Sequence, residues 1–382
     1  MLAIINAELV MRDHLIPEAV LFIEDGKIAG FGEMRNTPIP KNCEFLDAQG
    51  AYVGPGLVDI HCHTGGEHQF WQEPAEAAKF HLPHGITTVL ATPNGRLSVE
   101  NFVGMHARVR RAMATEDGAN IGGVYMEGPY INPKYGAYRD QNPWNKPVLS
   151  EDYAPLIASG ADIVRVWALA PERPDILPFV QAAKKASPNV RFAVAHSEAT
   201  PQQIEALIPY GLCIGTHHTN ATGTIVKYPE CRGVCVDEAV NYNHDIYAEI
   251  ISDSRGIHVD PYMQRLVRKI KGDEGIILVS DRTCYNGPIP EGYDGVTDLN
   301  FDDAGEIAGS KLTLDVACRN WMKHTGASLV DAFRVASYNP AHAVGFTDRG
   351  EIRIGLRADL ILVDCKMNVS TVILNGRIQQ FS

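Results

Sequence analysis

His61 and His63 stand two residues apart in LVDIHCH, Glu127 closes GGVYME, His196 closes RFAVAH, His217 closes LCIGTH and Asp281 closes IILVSD. Imidazole and carboxylate groups bind zinc, iron or manganese alike. Residues i and i+2 of a strand share a face, so His61 and His63 can grip one cation together. Glu127, at the end of a buried run, needs a partner for its charge, and a carboxylate placed between two cations bridges them. Asp281 is the candidate acid/base. Hydrolysis by metal-bound water requires a proton to pass from that water to the leaving group, and a carboxylate beside the metal can make both transfers. Taken singly, each histidine of a chain with 14 of them reads equally well as a core imidazole bonded to a backbone carbonyl. Taken as a set, His61, His63, Glu127, His196 and His217 point to a metal-dependent hydrolase with one or two divalent ions, Zn, Fe or Mn.

Such scattered residues meet only if the fold gathers them. Eight short apolar runs, LVDIHCH, TTVLAT, GGVYMEG, VRVWALA, RFAVAHS, LCIGTHH, AEIISDS and IILVSDR, are rich in Val, Ile and Leu, as strands buried on both faces should be. Helices are expected between them, over 74–84, 99–113, 176–186, 201–210, 261–271 and 312–324. In a parallel α/β barrel the carboxyl ends of all strands face one mouth. A doubly wound sheet is the rival, but it should bring a G-x-G-x-x-G or G-x-x-x-x-G-K-[ST] turn, and neither occurs. The α/β class expected is therefore a distorted (β/α)8 TIM-type barrel, which needs ~250 residues. Of the 382 residues, the surplus lies at the two ends, in LAIINAELV, AVLFIEDGKIAGFG and CEFLDAQGAYV, then GEIRIGLRADLILVD and VSTVILNGRIQQF. Asp25-Gly26 and Asn375-Gly376 are hairpin signals. Residues 1–54 and 346–382 are expected to pair as one small β-sandwich domain beside a barrel over 55–345.

A net charge of −12 argues against nucleic acid as a partner. No apolar run approaches the ~20 residues of a membrane span, and the opening residues lack the pattern of a secretory leader, so a cytoplasmic location is expected. The eight cysteines form no C-x-x-C pair and read as reduced thiols rather than disulfides.

With these residues in place, the chain resembles the amidohydrolase superfamily and, within it, the N-acetylglucosamine-6-phosphate deacetylases. The stretch Pro55 to His63 is similar to the superfamily's opening strand. The matches to the deacetylases are Glu127-Gly128-Pro129-Tyr130-Ile131-Asn132-Pro133, His196-Ser197-Glu198-Ala199-Thr200, Thr216-His217 with Asn220-Ala221, Gly256-Ile257-His258-Val259-Asp260, Val279-Ser280-Asp281 and Gly309-Ser310. Asn339-Pro340-Ala341 and Gly350 to Leu360 are similar to the superfamily's return to its small domain.

The resemblance implies a homodimeric enzyme that removes the acetyl group from an N-acetylated amino sugar by attack of metal-bound hydroxide. Glu127, His196 and His217 would hold the principal metal and His61 with His63 a second. Asp281 would be general base and then acid. His258, Asn220 and Ala221 would contact the sugar. Two departures stand out. Tyr138 occupies the place of a family histidine, and in Pro229-Glu230-Cys231-Arg232-Gly233 Glu230 falls where relatives carry an Arg that binds phosphate across the dimer. An acidic group there repels a phosphate dianion, so the 6-phosphate requirement is open, with Arg232 or Lys227 as replacement cations. The alternatives are another amide or cyclic-amide hydrolase of the superfamily, and a non-catalytic sugar-binding relative. The cyclic-amide enzymes that use a carbamylated Lys need that residue at the end of the fourth strand, and VRVWALAPE has none.

Overall fold

The computed structural model describes residues 1–223 and 226–381. All eight apolar runs are strands: Leu57–Cys62, Ile86–Ala91, Ile121–Glu127, Val164–Leu169, Arg191–Val194, Leu212–Gly215, Tyr247–Ile250 and Ile276–Leu278. They lie parallel in one eight-stranded sheet, each beside its neighbour in sequence. The sheet curls until its last strand meets its first. The seam there is sewn by two backbone hydrogen bonds just past the strand ends, Asp281 N–H to the His61 carbonyl (3.0 Å) and His63 N–H to the Arg282 carbonyl (2.9 Å). The result is a nearly closed, distorted (β/α)8 barrel.

Helices pack outside the strands because their sequences put apolar residues on one stripe. In Val99–Ala112 the buried positions are Phe102, Met105, His106, Val109 and Ala112, and Ser98 caps its start by accepting from the Asn101 N–H. Thr200 and Gln203 form a capping box that opens Pro201–Glu205, and the Asp260 carboxylate caps Pro261–Lys271. The helices Ser150–Gly160, Val236–Tyr242, Leu329–Phe333 and Asn339–Ala343 lie outside those expected from sequence; in the first, the longest of them, the start has no side-chain cap and Pro155 interrupts the interior, two features that read as a loop. Among the described residues no helix is long and apolar enough to cross a membrane.

Two buried histidines of the helical layer tie stability to pH. Burial pushes His81 down to about 3, against the hydrogen bond it makes to the Thr64 carbonyl, and pushes His106 down to about 4. For His81 the folded chain stays neutral while the unfolded chain takes up a proton below its ordinary 6.5, so stability is full above that pH and falls as the medium acidifies toward 3. Between pH 7 and pH 5 this residue is expected to remove about 2 kcal/mol of stability. Urea unfolding at both pH values checks this. His81→Gln, which keeps an amide donor for Thr64, should lose about 2 kcal/mol less than the parent over that interval. Equal losses would contradict the assignment.

Strands from both chain ends share a second sheet, with Leu360–Val363 antiparallel to Tyr52–Pro55 and continued by Val369–Leu374 and Arg377–Ile378 on one side. On the other side lie Leu2–Val10, Leu15–Glu24 and Lys27–Glu33, with Glu44–Asp47 also paired to the first of these. The Asp25-Gly26 and Asn375-Gly376 turns both have positive φ at both residues, as a two-residue hairpin of the primed type requires. Alternation along Leu360–Val363 joins the two parts: Leu360 and Leu362 enter the core of the small sheet, whereas Ile361 and Val363 enter the barrel's core. Gly54 lies at this junction, where a Cβ would come 2.3 Å from the Phe333 ring.

Candidate active site

At the carboxyl mouth of the barrel, Glu127 is the hub. Its Oε1 lies 2.9 Å from His196 Nε2, 3.2 Å from His217 Nε2 and 3.6 Å from His61 Nε2, and its Oε2 lies 3.2 Å from His63 Nε2. The nitrogens of His196 and His217 approach each other to 3.1 Å. Two trios, His61-His63-Glu127 and Glu127-His196-His217, each offer ligand atoms within 4.8 Å of one another. Asp281 closes the ring, its Oδ1 3.3 Å from His63 Nε2 and 3.7 Å from His61 Nε2. His61 and Glu127 from within their strands, and His63, His196, His217 and Asp281 from just beyond strand ends, thus converge on one point.

The backbone bends to deliver them. His196, His217 and Asp281 all have positive φ (44°, 30° and 45°), so each side chain swings inward just where its strand stops. Left-handed conformation is uncommon for residues other than glycine and clusters at functional sites.

Electrostatics fit a cation. Burial would raise the Glu127 carboxyl, but the His61, His196 and His217 imidazoles outweigh it and hold it well below the usual carboxylate range. Burial would likewise raise Asp281, and His61 and His63 reverse that. Conversely, burial disfavours a charged His63, yet Asp281 and Glu127 lift it to about 9. His61 Nε2 is buried and has no hydrogen-bond partner among the described residues. An imidazole nitrogen left unsatisfied among carboxylates is what a metal would satisfy, and the donor set of imidazoles with one shared carboxylate suits Zn, Fe or Mn.

Support comes from residues that the sequence alone did not single out. Glu249, fully buried on the seventh strand, faces His61 Nδ1 at 3.2 Å and accepts the His217 N–H at 3.1 Å. That contact turns His61 Nε2 toward Glu127. The signal was a carboxylate inside the apolar run AEII. Glu172 accepts from Ser197 Oγ and from the Glu198 N–H, and so fixes the turn after His196. Tyr125 stacks on His61 at 4.8 Å between ring centres.

The cluster opens into a cavity of about 490 Å³ whose lining includes His63, Glu127, His196, His217, Asn220, Ala221, His258 and Asp281. His258 Nε2 and Asn220 Nδ2 have no protein partner among the described residues. Asp253 accepts the His258 N–H at 2.8 Å and faces its Nδ1 at 3.2 Å. Two candidates fall elsewhere. Arg232 is exposed and paired to Glu238, outside the cavity, and Tyr138 stands behind the cavity wall, against Arg96 and Tyr285. Lys227 and Glu230 are exposed in the same short ribbon as Arg232, so in this chain none of the three reaches the cavity. The ribbon follows Asn220 and Ala221 in sequence, but unlike them its residues do not line the cavity.

A barrel with histidines and carboxylates at its strand ends, beside a sheet made of both chain ends, is the arrangement found in the amidohydrolase structures it resembles. Residues 263–379 match the Amidohydrolase family. That match and the similarities that follow, which extend over nearly the whole chain, support the amidohydrolase superfamily. Within it the chain is 26% identical to an N-acetylglucosamine-6-phosphate deacetylase of Lysinibacillus sphaericus, over 94% of this chain and 92% of that one. It is 27% identical to an N-acetylgalactosamine-6-phosphate deacetylase of Escherichia coli O157:H7, over 98% of each. The N-acetyl-D-glucosamine-6-phosphate deacetylase of Mycobacterium smegmatis, as a variant solved with N-acetyl-D-glucosamine-6-phosphate, superimposes with a TM-score of 0.83 at 26% identity, covering 99% of this chain and 98% of that one.

Proposed function

We propose that this protein hydrolyses the acetamido group of an N-acetylated amino sugar, giving acetate and the free amine. The observation that carries the reading is the convergence of four imidazole Nε2 atoms on the Glu127 carboxylate, with Asp281 alongside, at the floor of an open cavity. Glu127, His196 and His217 would hold a principal divalent ion, and His61 and His63 together with Glu127 would hold a second. A bound divalent cation supplies Lewis acidity toward the acetyl carbonyl and lowers the pKa of water from 15.7 toward ~7. Asp281 takes the proton from the attacking water on its carboxylate and hands it to the departing nitrogen, which leaves as the neutral amine. His258 Nε2 and Asn220 Nδ2 supply the unpaired polar atoms that orient the sugar, with Ala221 beside them.

A homodimer in the cytoplasm completes the proposal. The large exposed side chains Tyr228, Val234 and Tyr242 support a self-contact, and eight free cysteines support a reducing compartment. The fourth strand ends in Ala168-Leu169-Ala170, with no Lys, so a carbamylated bridge gains no support.

Acetate release from a panel of N-acetylated amino sugars, after chelation and after adding back Zn, Fe or Mn, tests the reading. Metal-dependent release from at least one sugar is expected. Silence across the panel from metal-loaded protein, with turnover of cyclic amides instead, would overturn it. Glu249→Gln is expected to weaken metal binding at the His61-His63-Glu127 trio by ~10–100-fold, the usual effect of removing an outer partner of a ligating imidazole. Competitive metal titration measures this, and an unchanged affinity would show that Glu249 does not orient His61.

A further inference from the structure

Among the described residues, two that line the cavity carry a permanent positive charge, Arg96 and Arg139. Arg139 is already neutralised: its two terminal nitrogens grip both oxygens of Glu306, at 2.6 and 2.7 Å. Arg96 has no carboxylate partner among the described residues. Instead, neutral groups hold it. Its Nε donates to Asn94 Oδ1 (3.2 Å), its Nη2 to the Tyr285 hydroxyl (3.4 Å), and its guanidinium lies 4.6 Å from the centre of the Tyr138 ring. These contacts fix the plane of the guanidinium without cancelling its charge, and of its five N–H groups they leave three for a ligand.

The position is as telling as the charge. Arg96 sits in the loop after the second barrel strand, and that loop is pressed against the metal hub. A Cβ on its neighbour Gly95 would come 2.9 Å from the Glu127 carbonyl. A half-buried, pre-aligned guanidinium with no carboxylate partner in the wall of the cavity is placed to meet an anion.

We infer that Arg96, seated by Asn94, Tyr138 and Tyr285, is the residue through which this chain recognises an anionic substituent, phosphate ester or carboxylate, on its amino-sugar substrate. The inference rests on the deacetylase reading above and adds to it. It also gives Tyr138 a job: not contact with the sugar, but the seat of the cation.

The experiment compares N-acetylglucosamine, its 6-phosphate and N-acetylglucosaminuronate, which carries a carboxylate at the same carbon, on the parent, Arg96→Ala and Arg96→Lys proteins loaded with metal. The readout is the kcat/KM of each anionic sugar divided by that of the neutral one, so that a general loss of activity cancels. The parent is expected to prefer one anionic sugar, which identifies the substituent. Arg96→Ala should reduce that preference by about 10- to 100-fold, the effect of one charge-assisted hydrogen bond, with Arg96→Lys in between. A parent with no preference, or a preference that survives Arg96→Ala, would overturn the inference and leave the deacetylase reading intact. Titration calorimetry with glucosamine 6-phosphate against glucosamine separates the two claims. If no sugar releases acetate but Arg96→Ala loses the preference for the phosphorylated amine, the reaction is misassigned and the anion site stands.

Discussion

Replacing Asp281 with Asn is expected to lower kcat by ~10²–10⁴-fold while metal content stays at the parent level, because a positioned acid/base contributes that much to a proton-transfer step. The substitution is nearly isosteric. Asn tolerates the left-handed conformation that position 281 adopts, with φ of 45°. The hydrogen bonds that hold this position are made by its backbone, Asp281 N–H to the His61 carbonyl and the Ser310 N–H to the Asp281 carbonyl, so they survive the change. What goes is the carboxylate oxygen 3.3 Å from His63 Nε2 and its ability to carry a proton. Steady-state kinetics on the best sugar of the panel, with metal analysis on the same sample, decides the matter. A kcat within about tenfold of the parent would remove Asp281 from the mechanism.

The second large effect is expected at Glu127, the residue common to both trios. Removing an outer partner of a ligating imidazole costs ~10–100-fold in metal affinity, so removing a shared direct ligand is expected to cost more than ~100-fold at both trios together. Glu127→Gln tests this with little change in shape. The amide would point a donor or a weaker acceptor at imidazoles that now meet a carboxylate at 2.9–3.2 Å. Elemental analysis after dialysis should find the variant depleted of every added divalent metal, and acetate release should vanish with it. If the variant keeps one metal per chain, then His61 with His63, or His196 with His217, binds without the carboxylate, and Glu127 is no bridge.

Much of the site was legible in the sequence because strand ends are marked twice, by the apolar run that precedes them and by the polar residue that breaks it. His61, Glu127, His196, His217 and Asp281 carry that double mark, and the barrel brings them together. Glu249 carries only half of it. It lies inside its strand rather than at the end, and its meaning depends on His61, 188 positions away. Arg96 carries no mark at all, since an arginine in a loop after Pro93-Asn94-Gly95 looks like any solvated charge until the cavity wall and the missing carboxylate are seen. The ribbon at 226–232 is a different case: its sequence puts Glu230 where relatives carry an Arg that acts across the dimer, and where such a loop reaches is decided by its contacts and not by its letters. The helix at Ser150–Gly160 escaped because an interior proline outweighs its buried Leu156, Ile157 and Gly160 in any local pattern.

The seam of the barrel has a consequence for how this protein tolerates change. The carbonyl of His61 and the amide of His63 are the very groups that stitch the eighth strand's end, with Asp281 and Arg282, onto the first. The proposed proton carrier and the proposed metal grip are therefore neighbours on one zip, spaced by peptide geometry instead of by side-chain reach. Loosening that zip by even a small slide would uncouple them before the rest of the cylinder gave way, so heat inactivation should precede loss of secondary structure, and evolution has little freedom to adjust robustness and turnover there one at a time.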